Sequence, residues 1–352
     1  MVDFSVYDTR TLLGVIRDDE LMRPPSSYWL DLCFGTVVNF TDEYIDFSKL
    51  TDSRKLAPLV VPTAQGRPIY SAAERLTRVK PAYVKPKDPV TASRMIRRVA
   101  GFGELADPIP KTPQQRYDST IADILSQHRR SIERRWEWMA AKAVIDGKVT
   151  LEDEAYPEVL VDFERDATHT VTLGAGSRWN DAGVSIVESL QVFINRVRRA
   201  AFGGPVTRLT VGTDVWDVMR KNEEVRELLN TNYRQNTGAD LKMGLREGVE
   251  AEYVGRLSEN LEVWVYSDYY EATDGTITPF MSSKDVVLTG RNVMGVKAFG
   301  AIQDVEANFQ ALAIYPKMWN EQDPSVTFVM SQSAPLMVPV NPNNTLKATV
   351  LA

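Results

Sequence analysis

The feature that most constrains this chain is a helical signal running from about Thr112 to Asp146. Pro113 falls in its first turn, where a missing N–H costs little, and Gly147 supplies a stop. Ile121, Leu125, His128, Ile132, Trp136, Met139 and Ala143 recur every three or four residues, which predicts one buried stripe. In the same phase Arg134, Arg135 and Glu137 are expected on other faces. About 35 residues at 1.5 Å each make a rod of roughly 50 Å, against about 11 or 12 residues in a usual helix. A small domain cannot cover such a rod, whereas an elongated subunit can use it as a backbone.

The flanking segments suit that picture. Asp8 and Thr9 are placed to cap a short helix carrying Leu12, Leu13 and Ile16, and Pro24-Pro25 would end it. This stretch has little core of its own, so Trp29, Leu32 and Phe34 need a neighbour to bury them. From Ser53 to Lys87, Gln65-Gly66 separates two β-prone runs and predicts a long hairpin. Pro58, Pro62, Pro68 and Pro81 argue against a central sheet position. A two-stranded hairpin is marginal in water by itself, so this one has to lie against something else.

Beyond the long helix, TLEDEAYPEVLVDFERDATHTVTL reads as strands. Residues 184–203 form a second amphipathic helix with Ile186, Leu190, Phe193, Ile194 and Val197 inward, ended by Gly203-Gly204-Pro205. A strand at VTRLTVG leads into a helix DVWDVMRKNEEVRELLN capped by Thr213-Asp214, and LEVWVYSDYY and DVVLTG read as further strands. These predict a compact α/β lobe over 184–300 in an α+β chain of about two lobes.

Composition excludes several classes. With 43% hydrophobic and 25% charged residues the chain is an ordinary globular one. No apolar run approaches the ~18 residues of a membrane helix, and MVDFSVYDTRTLLGV lacks the basic start of a signal peptide. The single cysteine, Cys33, rules out an intrachain disulfide and suits a reducing cytoplasm. Within YWLDLCFGTVV it is expected to be a buried small hydrophobe. A net charge of −6 lacks the basic excess of a dedicated DNA binder.

No catalytic, cofactor-binding or metal-ligating residue is nominated, and no enzyme activity is expected. His128 lies on the apolar stripe and His169 among strand formers, neither with a local Ser/Asp motif or metal spacing. GFGELA at 101–106 is followed at once by Asp107-Pro108-Ile109-Pro110 rather than by a helix, so it lacks the context of a nucleotide loop. Gly174-Ala175-Gly176-Ser177 reads as a turn. The acidic clusters Asp18-Asp19-Glu20 and Glu152-Asp153-Glu154 are expected as solvated loop faces. Glu133 can pair with Arg129 along the helix, and the arginine pairs at 97–98, 129–130, 134–135 and 198–199 are expected to meet carboxylates of neighbouring subunits.

One run remains. Ala313 to Pro342 holds a Tyr-Pro-Lys-x-Trp box at 315–319, an Asp-Pro turn and a Gln-Ser-Ala-Pro-Leu-Met box at 332–337, and YVKPK stands at 83–87. These boxes, in this order, resemble the major capsid proteins of lambda-like tailed bacteriophages, the capsid E family. The resemblance implies a Hong-Kong-97-type capsid fold: an N-terminal arm and lead-in (1–52), an extended loop hairpin (53–87) and a peripheral domain with the spine helix (88–183). An axial α/β domain (184–300) and C-terminal strands returning to the peripheral domain (301–352) complete it. It further implies pentamers and hexamers closing an icosahedral shell that encloses DNA without specific binding, assembled in the host cytoplasm. The implied partners are a separate scaffolding protein, since the sequence begins directly with the arm, together with a portal and a decoration protein; no membrane and no cofactor is implied. A nanocompartment shell of the same fold and a soluble α/β enzyme are the competing readings.

Overall fold

The structure, a computed structural model, describes residues 6–22, 27–42, 44–49, 75–91, 112–153, 156–227, 250–272, 274–321 and 326–352. Helices α1 (Thr9–Met22) and α2 (Tyr28–Cys33) lead into β1 (Thr36–Asn39), β2 (Ile45–Lys49), β3 (Arg75–Val79) and β4 (Lys87–Val90). The long helix α3 (Pro113–Ile145) is followed by β5 (Lys148–Asp153), β6 (Tyr156–Asp162), β7 (Thr170–Thr172), α4 (Ile186–Arg199), β8 (Val206–Val211) and α5 (Thr213–Met219). Then come β9 (Ala251–Ser258), β10 (Leu261–Tyr266), β11 (Tyr269–Glu271), β12 (Ile277–Pro279) and β13 (Asp285–Gly290). The last strands are β14 (Gly295–Phe299), β15 (Tyr315–Glu321), β16 (Val326–Gln332), β17 (Pro335–Pro339) and β18 (Thr345–Thr349).

Helix α3 begins and ends where its residues dictate. Thr112 accepts a hydrogen bond from the Gln115 N–H at 3.3 Å while the Gln115 side chain accepts from the Thr112 N–H at 2.9 Å, a reciprocal capping box. Gly147, at φ +70°, takes the left-handed conformation that terminates the helix. Its 33 residues span about 50 Å.

Three cores cover this rod and its neighbour. Leu12 and Ile16 of α1 meet Ile121, Ile124 and Leu125 of α3, with Met318 and Val329 beneath. The C-terminal half of α3 packs Met139, Ala140 and Val144 against Trp29 and Phe34 at α2 and against Leu336 and Val338 of β17. The third core lies on a six-stranded sheet of order β7-β18-β13-β8-β10-β9. There Leu190 and Phe193 of α4 and Trp216 of α5 cover Leu209, Val263 and Leu288.

Several expectations change. The neighbour that buries Trp29 and Phe34 is this chain's own long helix, because α2 docks on it. Of Leu12, Leu13 and Ile16, Leu13 is only half-buried; Pro24 and Pro25 lie outside the described residues. The hairpin's base begins before Ser53, since β2 pairs with β3 from Ile45↔Val79 to Lys49↔Arg75; Gln65-Gly66 falls outside the described residues. Tyr83–Lys87 leaves that ribbon and joins the C-terminal strands through β4 and a Val84↔Ser333 bridge. The helix expected from Thr213 onward stops at Met219, and a new turn at 223–227 starts behind Asn222, whose Oδ1 accepts from the Val225 N–H. An Asn that caps the next turn competes with continuing the previous one. Helix α4 ends at Arg199, with Ala200 extended, ahead of the glycine pair. Finally, β16 and β17 lie against α3 and β15 against α1, whereas β18 sits inside the six-stranded sheet between β7 and β13.

Candidate functional site

The boxes at 83–87 and 315–319, more than 200 residues apart, meet at the three-stranded sheet β15-β16-β4, and the box at 332–337 runs from the end of β16 into β17 of the sheet β1-β14-β17. In the first box, the Val84 N–H donates to the Ser333 carbonyl at 2.9 Å and the Ser333 N–H donates back at 3.0 Å. The Ser331 N–H donates to the Pro86 carbonyl at 3.1 Å. Prolines at 81 and 86 keep this stretch extended, so it pairs as an edge. The Lys87 ammonium lies over the rings of Phe328 (3.8 Å) and Trp319 (5.0 Å), which face each other across β15 and β16.

Each box also sends one side chain to brace the loop at 302–311. The Tyr83 hydroxyl donates to the Ala301 carbonyl and accepts from the Gln303 N–H. The Lys317 ammonium sits 3.0 Å from both Asp304 and Glu306, and the Gln332 amide donates to Asp304 at 3.3 Å. Partial burial opposes ionisation of Asp304, yet Lys317, the Glu306 N–H and Gln332 hold its carboxyl below the usual carboxylate range. So braced, the loop keeps Asn308 and Phe309 left-handed (φ +49° and +54°) and exposes Val305 and Phe309.

Both histidines are buried in the packing of the subunit. His128 is buried, with Nε2 3.1 Å from Asp88 and Nδ1 3.3 Å from Ser331, joining α3 to β4 and β16. His169 is buried with Nδ1 2.9 Å from the Thr345 carbonyl; burial depresses its pKa. Cys33 is buried, and desolvation pushes its thiol up to about 12. Gly174–Ser177 is a turn closed by the Ser177 N–H on the Gly174 carbonyl. GFGELA lies outside the described residues. Among the described residues no group of His, Cys, Asp and Glu could hold a metal ion, and no helix is long and apolar enough to cross a membrane.

The charged groups depart further from expectation. Asp19 lies on α1, pairs with the fully buried Arg129 at 3.1 Å and accepts from Ser126, so it is not a solvated loop residue. Arg129 also meets Glu133 at 3.7 Å, Arg134 meets Asp268 at 3.1 Å, and Arg135 meets Asp153 at 3.0 Å. These arginines find carboxylates inside the subunit, because α1 and the strand ends that wrap α3 supply them; Arg97 and Arg98 lie outside the described residues.

Glu137, expected on an outer face, is buried. Its carboxylate accepts the N–H groups of Tyr28, Trp29 and Leu30 at 3.1, 2.8 and 3.1 Å, the unpaired donors at the start of α2. A signal for it was present: Ile121, Leu125, Arg129, Glu133, Glu137, Ala141 and Ile145 stand four apart and form one ridge of α3. Its ends are apolar, and Arg129 and Glu137 between them are buried as well.

The profile of the phage major capsid protein E family matches residues 8–350. The major capsid protein of Enterobacteria phage P21 is 28% identical over 345 residues, covering 96% of this chain and 97% of that one. That of Escherichia phage lambda is 28% identical over 346 residues, with the same coverage of 96% and 97%. Among solved structures, the capsid protein ascribed to a prophage of E. coli CFT073 superposes with a TM-score of 0.74 at 24% identity, over 99% of this chain and 100% of that one. The mature capsid of bacteriophage PhiM1 gives 0.51 at 10% identity, over 92% and 87%. Both share the Hong-Kong-97-type fold. With the family profile running almost end to end, over residues 8–350, the chain belongs to the phage major capsid protein E family.

Proposed function

We propose that this capsid subunit closes, through pentamers and hexamers, into an icosahedral shell around phage DNA. The observation that carries the reading is the family match over 8–350, which takes in the arm, the long helix and every box. It favours a phage shell over a nanocompartment or an enzyme. In this reading 1–52 is the arm and lead-in, 53–87 the extended loop and 88–183 the peripheral domain on its spine helix. Residues 184–300 are the axial domain, and 301–352 returns to the peripheral side apart from β18. A net charge of −6 suits a wall that surrounds DNA without gripping it. The virion is the place of action, with assembly in the host cytoplasm; a scaffolding protein, a portal and a decoration protein are the partners, and the chemistry is assembly rather than catalysis.

Sedimentation of the chain co-expressed with its scaffolding protein tests this: particles in the megadalton range are expected, and a monomer under all conditions overturns it. A second expectation concerns the 53–87 loop, whose β2–β3 base is a two-stranded ribbon. Such a ribbon is marginal without a surface to lie on. Its amides should exchange fast in free subunits and slowly in shells. Equal protection in both states contradicts a loop held by a neighbour.

A further inference from the structure

The loop at 302–311 holds two apolar side chains out in solvent and does so against backbone preference. Val305 is 76% exposed and Phe309 55%. The ends of the loop are tied, since Ala301 bridges Ala311 and the Ile302 N–H donates to the Gln310 carbonyl at 3.1 Å. Ile302 and Ala307 anchor it from beneath, buried against Tyr315 and Ala334. Within that frame Asn308 and Phe309 both take left-handed φ, +49° and +54°. Asparagine tolerates this conformation, whereas in phenylalanine it is strained. Such strain persists only where the surroundings impose it, and it gathers at functional contacts. With Tyr83, Lys317 and Gln332 bracing it, the loop is a rigid apolar knob.

The same chain carries a recess of the same character. Between β3 and β6 lies a groove of about 520 Å³, lined by Val79, Tyr156, Pro157 and Val159 and by Leu160, which is 56% exposed. That volume falls in the range of roughly 300–1,000 Å³ that buries most of a small ligand, so it admits the Phe309 ring with Val305 beside it. Among the described residues neither knob nor groove is covered within the subunit. Their charges are complementary. Exposed Glu306 stands in the knob, whereas Arg78 and Lys80 outnumber Asp162 along the groove. Glu306 already pairs with Lys317 and Arg78 with Asp46, so these charges set orientation more than affinity.

We propose, on the reading of this chain as a shell subunit, that the 302–311 loop is an assembly knob: Phe309 and Val305 of one copy seat in the β3–β6 groove of a second copy. A knob on one surface and a groove on another make a head-to-tail contact. Such a contact closes into a ring when its rotation allows, which is what pentamers and hexamers require.

The test uses the full chain co-expressed with its scaffolding protein. Phe309→Asp removes the apolar tip and installs a residue that suits left-handed backbone. The subunit should therefore keep or raise its denaturant midpoint while the yield of shells falls about tenfold or more, as expected on losing a buried aromatic anchor. Phe309→Cys combined with Leu160→Cys reads the contact directly, because the native Cys33 is buried. Oxidised shells of this double variant should give a ladder of linked subunits running past the dimer, and neither single variant should. Shells without a ladder, a ladder from a single variant, or a Phe309→Asp chain that assembles like wild type overturns the knob and leaves the shell reading intact. A wild-type chain that never leaves the monomer overturns both. Should the double variant fail to assemble, the Phe309→Asp yield decides.

Discussion

Trp29→Ala is expected to leave an insoluble or protease-sensitive subunit rather than a folded one that fails to assemble. The indole is fully buried, edge-on to Tyr266 at 5.5 Å and to Tyr28 at 5.0 Å, in the core that α2 shares with Met139 of the long helix. Truncating such a side chain costs about 3–5 kcal/mol, a large part of the roughly 5–15 kcal/mol of a whole domain. Trp136 gives the internal control. It is half-buried with one ring contact, to Phe299 at 5.1 Å, so Trp136→Ala should cost less than Trp29→Ala. Arg135→Ala removes a partly exposed ion pair with Asp153 and should cost only about 0–1 kcal/mol. Denaturant midpoints of the three variants should fall in that order; a Trp29→Ala protein as stable as Arg135→Ala contradicts the docking of α2.

The second large effect is at Arg129, whose side chain is 1% exposed and holds α1 through Asp19. Arg129→Ala strands the Asp19 carboxylate beside α3 and should cost about 3–5 kcal/mol, the usual result of breaking a buried pair from one side. Replacing both members, Arg129→Met with Asp19→Leu, should recover much of that loss, because an apolar pair of similar volume needs no partner charge. Proteolysis within α1 reports the difference directly. A double variant worse than Arg129→Ala rejects the pair as the clamp.

These two sites mark where the sequence was legible and where it was not. The long helix was read to within a residue at each end, because its limits are local: Thr112, Pro113 and Gly147 set them without help from the rest of the chain. The boxes at 83–87, 315–319 and 332–337 carried the family, although nothing local shows that the first pairs with the C-terminal strands. The orientation of α3 was only half readable. A single stripe fits a helix covered from one side, but α2 and β17 cover the C-terminal half from two, so Glu137 is buried while Trp136 sits at a flank. The arginines were assigned to neighbouring subunits because Asp19, Asp153 and Asp268 lie 18 to 134 residues from their partners. Pairing over such distances is a property of topology. The C-terminal strand shows the same limit: β18 reads as one more strand, and its place between β7 and β13 is decided by the sheet it completes.

Electron microscopy of the expressed protein, with and without its scaffolding protein, decides whether the chain closes into shells. Closed shells of uniform size with five- and six-fold clusters are the predicted result. Discrete monomers or small open oligomers in both preparations, from a chain shown to be folded, would contradict it.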